Sequence, residues 1–169
     1  MDLTFRLADD ADLPALVALY DAAARWMQDH GIAQWKPGEK DEDHFRRRRA
    51  DGEVWLAESA GHLVGAYELW WQDEAAWGAR PPDAGYVHRL MIARDHAPPD
   101  TGRALLTHAE HRIARTGRTR SRLDCVSSNP RLRTYYEAAG YTVVGEQPFK
   151  RGTGGSKYAV TLLEKRIRG

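Results

Sequence analysis

Few side chains in this sequence could carry a proton near neutrality, and His88 stands where one would be wanted. Residues 86–92, YVHRLMI, alternate in the manner of a half-buried strand, and imidazole is the side chain type suited to acid–base work at physiological pH. Glu68, on a neighbouring strand-like segment, is the second candidate base. A hydrogen-bonded structural histidine is the alternative role for His88. Strict alternation puts Tyr86, His88, Leu90 and Ile92 on one face and Val87, Arg89 and Met91 on the other, so one face alone could line a cleft. The single cysteine, Cys125, lies in an apolar strand pattern and reads as an inert core thiol. No spacing of His and Cys suggests a metal site, and none is expected. Residues 152–155 read as a hairpin turn rather than a phosphate loop.

Aromatic residues form the second group with chemical potential. Six tryptophans exceed what one core requires, and Trp26, Trp35, Trp70, Trp71 and Trp77 fall near loops and strand ends. An aromatic pocket for a flat or partly apolar molecule would use them, although each singly could be a core residue. His30, Gln34 and Trp35 lie in a turn-rich stretch where an aromatic otherwise has little to do.

Elements that could position these residues follow from periodicity. Leu3, Phe5 and Leu7 alternate as a short strand, and Asp9, Asp10 and Asp12 suit a helix start. Leu13, Leu16, Val17, Tyr20, Ala23, Ala24 and Met27 then recur at helical spacing to about residue 28, before Gly31. A short charged segment at 41–50 predicts a second helix with Phe45 inward. Strands are expected at 54–58, at 63–71 after a tight turn, and at 85–92 after a loop with Pro and Gly, together an antiparallel meander. A helix over 100–116 closed by Gly117, a buried strand at 122–126, a helix opened by Pro130 and ended by Gly140, and strands at 141–146 and 157–163 complete the order. That order is α/β, and the chain has no internal repeat.

Composition bounds the rest. With 169 residues the chain fits one domain, 1–169. Its 25 Lys and Arg against 24 Asp and Glu give a net charge of +1, which supplies no global reason for a nucleic-acid or membrane partner. One cysteine, acids near the N-terminus and no long apolar run imply a cytoplasmic protein without signal peptide or anchor.

The segments YVHRLMIARDHAPPDTGRALLTHAEHRIARTG and SRLDCVSSNPRLRTYYEAAGY resemble the core of the GNAT acyltransferase superfamily, particularly members of actinobacterial type. The resemblance implies a mixed, mostly antiparallel central sheet of about seven strands flanked by about four helices. It also implies an acyltransferase that moves an acyl group from a pantetheine thioester to an amine or hydroxyl of a small molecule in a direct-transfer ternary complex. In that family the strand matching 86–92 holds the pantetheine arm, so the backbone of Leu90, Met91 and Ile92 is expected to bind the donor and polarise its carbonyl. The N-terminus of the next helix faces the pyrophosphate, which assigns Thr101, Gly102, Arg103 and Ala104 to the cofactor. Asn129, Tyr136, Glu137, Gly140 and Tyr141 stand at family spacing. Tyr136 then becomes the general acid for the departing thiolate and Asn129 a residue orienting the arm, while spacing alone would make them a core tyrosine and a helix cap. His88 and Glu68 become candidate bases for the acceptor, and His30, Gln34, Trp35 and Trp70 candidate acceptor-binding residues.

One motif departs from the family. Where its phosphate loop carries Arg or Gln and two glycines, this chain has Ala97, Pro98, Pro99, Asp100, Thr101 and Gly102, so the loop is degenerate. Two prolines remove backbone donors, and Asp100 opposes an anion unless it caps the helix. The donor is therefore acyl-CoA or a carrier-bound phosphopantetheine thioester. With an acyl carrier protein as partner, Arg94, Arg131 and Arg133 are the docking candidates. An aminoacyl-tRNA-dependent transferase and a non-catalytic ligand-binding module are the remaining readings. A homodimer would accord with the resemblance.

Overall fold

A computed structural model describes residues 2–32, 34–151 and 157–168; the 152–155 stretch read above as a turn lies outside the described residues. The strands are β1 (Thr4–Leu7), β2 (Glu53–Ser59), β3 (His62–Trp70), β4 (Ala84–Ile92), β5 (Arg120–Val126), β6 (Thr142–Arg151) and β7 (Lys157–Arg166). The helices are α1 (Leu13–Asp29), α2 (Glu42–Asp51), α3 (Glu74–Trp77), α4 (Thr101–Arg115) and α5 (Pro130–Ala138). The strands form one seven-stranded mixed sheet in the order β1-β2-β3-β4-β5-β7-β6. Seven strands agree with expectation, and the described residues form five α-helices, in keeping with the about four expected plus one short turn. The additional one, α3, is a single turn too short to show a period. Asp73 accepts the Ala76 N–H at its start, and Gly78 at φ 70° ends it.

The chain divides into two compact units, Met1–Trp70 with Arg89–His108, and Trp71–His88 with Ala109–Gly169. In the first unit β1, β2 and β3 pair antiparallel. The apolar stripe of α1 buries Leu13, Leu16, Leu19, Tyr20 and Ala24 with Phe45 of α2, Val54 and Leu56 of β2, Ala66 of β3 and Met91 of β4. Each buried Leu, Val, Phe or Met side chain of this set contributes about 1.5–3 kcal/mol by leaving water. Asp9 opens the first helical turn with a reciprocal capping pair: its carboxylate accepts the Ala11 N–H, and Asp12 accepts the Asp9 N–H. Gly65 lets α4 approach, since a Cβ there would stand 3.0 Å from both a Leu105 methyl and the Met91 carbonyl oxygen.

In the second unit β5 pairs with β7 antiparallel over its whole length, and β7 with β6. Ala109, Ile113, Leu123, Cys125, Tyr141, Val160 and Leu163 are buried. Gly85 is required by Ile113, whose Cγ1 would lie 2.4 Å from an added Cβ. The parallel pairing of β4 with β5 covers Ala84 to Tyr86 against Arg120 to Arg122, while β5 continues beside β7 as far as Val126.

Candidate active site

The second unit carries the groups best suited to move protons. Tyr136, on α5, is half-buried and packs edge-on against Tyr135 and Tyr141. Burial, and after it the neighbouring Cys125, Tyr135 and Asp124, push its phenol above the ordinary value, so it holds its proton throughout the neutral range. Asn129 occupies the N-cap position of α5, but its side chain makes no capping bond. Asn129 thus caps α5 by position and not by its side chain. Cys125 is buried and its thiol is pushed up to about 11, first by burial and then by Asp124; it is the inert thiol expected.

His88 does not stand alone on its strand. Its Nε2 lies 2.8 Å from Asp73 Oδ2, and both side chains are buried. A carboxylate only accepts, so Nε2 carries the hydrogen and the lone pair of a neutral ring is on Nδ1. Asp73 also caps α3, which fixes it against the backbone. Asp124 of β5 completes a constellation in which one donor atom from each of Asp73, His88 and Asp124 lies within 4.8 Å of the others. These are residue types that bind a cation. The spacing of His and Cys in the sequence gave no sign of this group, which a loop, β4 and β5 bring together.

The first unit holds the other base candidate in a different setting. Glu68 is wholly buried, and its carboxylate accepts from His44 Nε2 at 2.8 Å, Arg89 at 3.0 Å and the Trp70 indole at 3.0 Å. Burial holds His44 below the ordinary imidazole value against the opposing pull of Glu68. Lys40 is likewise lowered, by burial and then by the Arg89 charge. Arg89 has φ 48°, a left-handed conformation within β4. A period of two presumes extended backbone at every residue, so the strict alternation drawn through Leu90 and Ile92 is interrupted at Arg89. Leu90 and Ile92 are half-buried, and Met91 is buried in the core of this unit.

The stretch before α4 also belongs to the first unit. Asp100 is exposed with φ 66°, the conformation a glycine would adopt, and not the extended one of a capping residue. Thr101 is buried and its hydroxyl donates to the Pro98 carbonyl at 2.6 Å. The first intrahelical bond runs from the Ala104 N–H to the Asp100 carbonyl at 3.0 Å, so the amides of Thr101, Gly102 and Arg103 precede the helical ladder. An anion could take those three amides.

Of the expected acceptor-binding residues, Gln34 is the most suggestive, because its Oε1 is buried without a hydrogen-bond partner. Trp35 stacks on Tyr20 at 5.2 Å and packs against the core of its unit. His30 is tied to α1, with Nδ1 2.7 Å from the Trp26 carbonyl and its ring stacked on Trp26. Trp70 lies under the Arg48 guanidinium. Arg94 covers Trp26 at 4.1 Å, Arg131 is exposed, and Arg133 pairs with Glu137 one helical turn away. The second unit also contains a cavity of about 370 Å³ lined by Arg80, Asp83, Arg120, Arg122, Val144 and Glu164. Burial opposes the Glu164 charge, but hydrogen bonds from Arg122 and Arg120 leave its carboxyl below the ordinary value.

The mixed seven-stranded sheet, with its fourth and fifth strands paired for three residues, has counterparts among known proteins. The Acetyltransferase (GNAT) family matches residues 16–141, and the chain belongs to that family of transferases. The Bacillus subtilis (strain 168) protein YesJ, described as an uncharacterised N-acetyltransferase, is 29% identical over 143 residues, covering 79% of this chain and 78% of that one. An acetyltransferase of the GNAT family from Listeria monocytogenes 4b F2365 superposes with a TM-score of 0.79 at 26% identity, over 98% of this chain and 95% of its own. The PaiA N-acetyltransferase of Thermoplasma acidophilum, solved with coenzyme A, shares the fold with a TM-score of 0.72 at 17% identity, over 99% and 100% of the two chains. No helix among the described residues is long and apolar enough to cross a membrane.

Proposed function

We propose that the protein is a cytoplasmic enzyme that acts as a single domain and transfers an acetyl group from acetyl-CoA to the amine of a small molecule by direct attack. Tyr136 carries this reading: it is a phenol held protonated on the helix where the family's motif stands. The amine nitrogen attacks the thioester carbonyl, whose oxygen is polarised by backbone of the Leu90, Met91 and Ile92 segment. The C–N bond forms, the C–S bond breaks, and the thiolate leaves with the proton of Tyr136. The amine's proton passes to Nδ1 of His88, whose tautomer Asp73 fixes. The amides of Thr101, Gly102 and Arg103 hold the pyrophosphate, Ala104 continues that turn, and Asn129 orients the pantetheine arm. Gln34 and Trp35 serve the acceptor, together with His30 and Trp70.

Titration of the protein with acetyl-CoA by calorimetry, followed by thiol release with amine acceptors, tests the reading. Micromolar binding and a fall of about 100-fold in kcat for Tyr136→Phe are expected. Unchanged turnover in that variant would remove Tyr136 from the mechanism.

A carrier-bound donor is the second reading, favoured by the loop that ends at Asp100. Such a donor brings one phosphate and no diphosphate, and Arg94, Arg131 and Arg133 would meet an acidic carrier. The left-handed backbone at Asp100 already suits a glycine, so Asp100→Gly removes the charge without forcing the loop. Several-fold tighter acetyl-CoA binding in that variant supports coenzyme A as the donor. Absent binding in both proteins, with turnover of a loaded carrier protein, supports the second reading.

A further inference from the structure

The cavity of about 370 Å³ in the second unit is lined by none of the residues given a part in acetyl transfer. Arg122 of β5 and Glu164 of β7, cross-strand partners, lie at its base. Glu164 spends both oxygens on arginine, accepting from Arg120 Nη1 and Arg122 Nε at 2.8 Å each, and Arg122 Nη1 donates to the Tyr86 hydroxyl. Arg80 and Asp83, from the loop before β4, are less fully engaged. Arg80 is exposed and donates through Nε to the Trp77 carbonyl at 3.1 Å, while its terminal amino groups make no bond to the described residues. Asp83 Oδ1 and Arg120 Nε are both buried without a hydrogen-bond partner, and the 3.6 Å from Arg120 Nε to Asp83 Oδ2 is longer than a hydrogen bond. A buried donor and a buried acceptor left open side by side cost stability, and a group set between them that accepts from the first and donates to the second removes that cost. Among the described residues the lining carries three arginines against two carboxylates, so one anionic charge balances it. Val144, the residue of β6 out of register between Val143 and Gly145, completes the lining and is 52% exposed. An inorganic ion would leave that apolar surface wet, whereas an organic ligand covers it.

We propose that this cavity is a binding site for a small α-hydroxy acid with an apolar body, separate from the groups that carry acyl transfer. The carboxylate accepts from Arg80 and from Arg120 Nε, the hydroxyl beside it donates to Asp83 Oδ1, and the body lies on Val144 and Pro81. No bond is made or broken there. The ligand joins the loop before β4 to the start of β5, where the Asp83 carbonyl already accepts the Thr119 and Arg120 amides.

Calorimetric titration with mandelate tests the site without any turnover, against phenylacetate, which lacks the hydroxyl, and styrene glycol, which lacks the charge. The wild type is expected to bind mandelate about fivefold more tightly than phenylacetate, the worth of one hydrogen bond, and not to bind styrene glycol. Arg80→Ala, a change at an exposed loop position, should weaken mandelate about tenfold through the loss of a charge-assisted bond. Asp83→Ala should abolish the preference for mandelate over phenylacetate, a ratio that general damage to the fold does not move. Failure of the wild type to bind mandelate at millimolar concentration overturns the proposal, as does unchanged affinity in Arg80→Ala or an unchanged preference in Asp83→Ala. So does inorganic phosphate that binds as tightly as mandelate, which would make the cavity a simple anion trap. Competitive displacement of mandelate by acetyl-CoA would place it in the donor groove and overturn the proposal as well. Mandelate binding that obeys both variants stands whether or not acetyl-CoA proves to be the donor.

Discussion

Two imidazole–carboxylate pairs, one in each unit, have the same contact and opposite surroundings. His44 meets Glu68 and His88 meets Asp73, each through Nε2 at 2.8 Å. Around Glu68 the further neighbours are donors, Arg89 and the Trp70 indole, so the carboxylate is saturated and its charge neutralised. Around His88 the further neighbour is another acid, Asp124. The first pair has the satisfaction expected of a buried structural network. The second sets two acids rather than one beside its imidazole. A hydrogen bond of given length therefore says little about role until the charges behind it are counted.

The sharpest way to break the comparison is to remove each acid. Glu68→Ala leaves Arg89 and His44 facing a void in the interior, and about 3–5 kcal/mol of stability should be lost in denaturant titration. Asp73→Asn keeps an N-cap for α3 and should cost under about 1 kcal/mol. If the two variants were equally destabilised, the distinction between a structural and a functional pair would collapse.

Removing the rings sharpens it next. His88→Gln should lower kcat by about 100-fold with acetyl-CoA and a saturating amine, as expected for loss of a general base, whereas His44→Gln should leave kcat within about threefold. Asp73→Asn should fall between them at about tenfold, since the ring remains but its tautomer is no longer fixed. Substantial loss of kcat in His44→Gln would move the base to the first unit and make Glu68 its partner.

How much of this was legible beforehand depends on whether a feature leaves a periodic or a punctuating mark. The stripe of α1, Phe45 on α2, and the ends at Gly117 and Gly140, both at positive φ, were legible because period and glycine declare them. The turn of α3 was not, since four residues show no period. The left-handed residue at Arg89 was not, because arginine gives no warning where a glycine would. Tyr136 was singled out by the family's motif. Its candidate companions Asp73 and Asp124 were not, for they reach His88 from a loop and from a strand on which an acid looks like ordinary alternation. His44 lies in a run of charges that reads as solvated surface, and its partner is 24 residues away in sequence. Contacts of that kind depend on the register of the fold, which no local pattern encodes.

The smallest expected effect is a difference in acid sensitivity. Burial sets the folded pKa of His44 below its ordinary 6.5, with Glu68 pulling the other way. On acidification the unfolded chain takes up a proton near pH 6.5 while the folded His44 still resists it. The unfolded state then binds more protons, and stability falls as pH drops below 6.5 until the folded His44 also titrates. Asp12, lowered chiefly by its hydrogen bond from Arg6, and Glu164, lowered by Arg122 and Arg120, add losses at lower pH, as each carboxylate is protonated. Thermal melting of His44→Gln against wild type should therefore show a shallower decline just below pH 6.5 and the same steep loss in the carboxylate range. A decline below pH 6.5 that persisted in His44→Gln would show that another group carries it, and His44 would lose the buried, neutral character that separates its pair from that of His88.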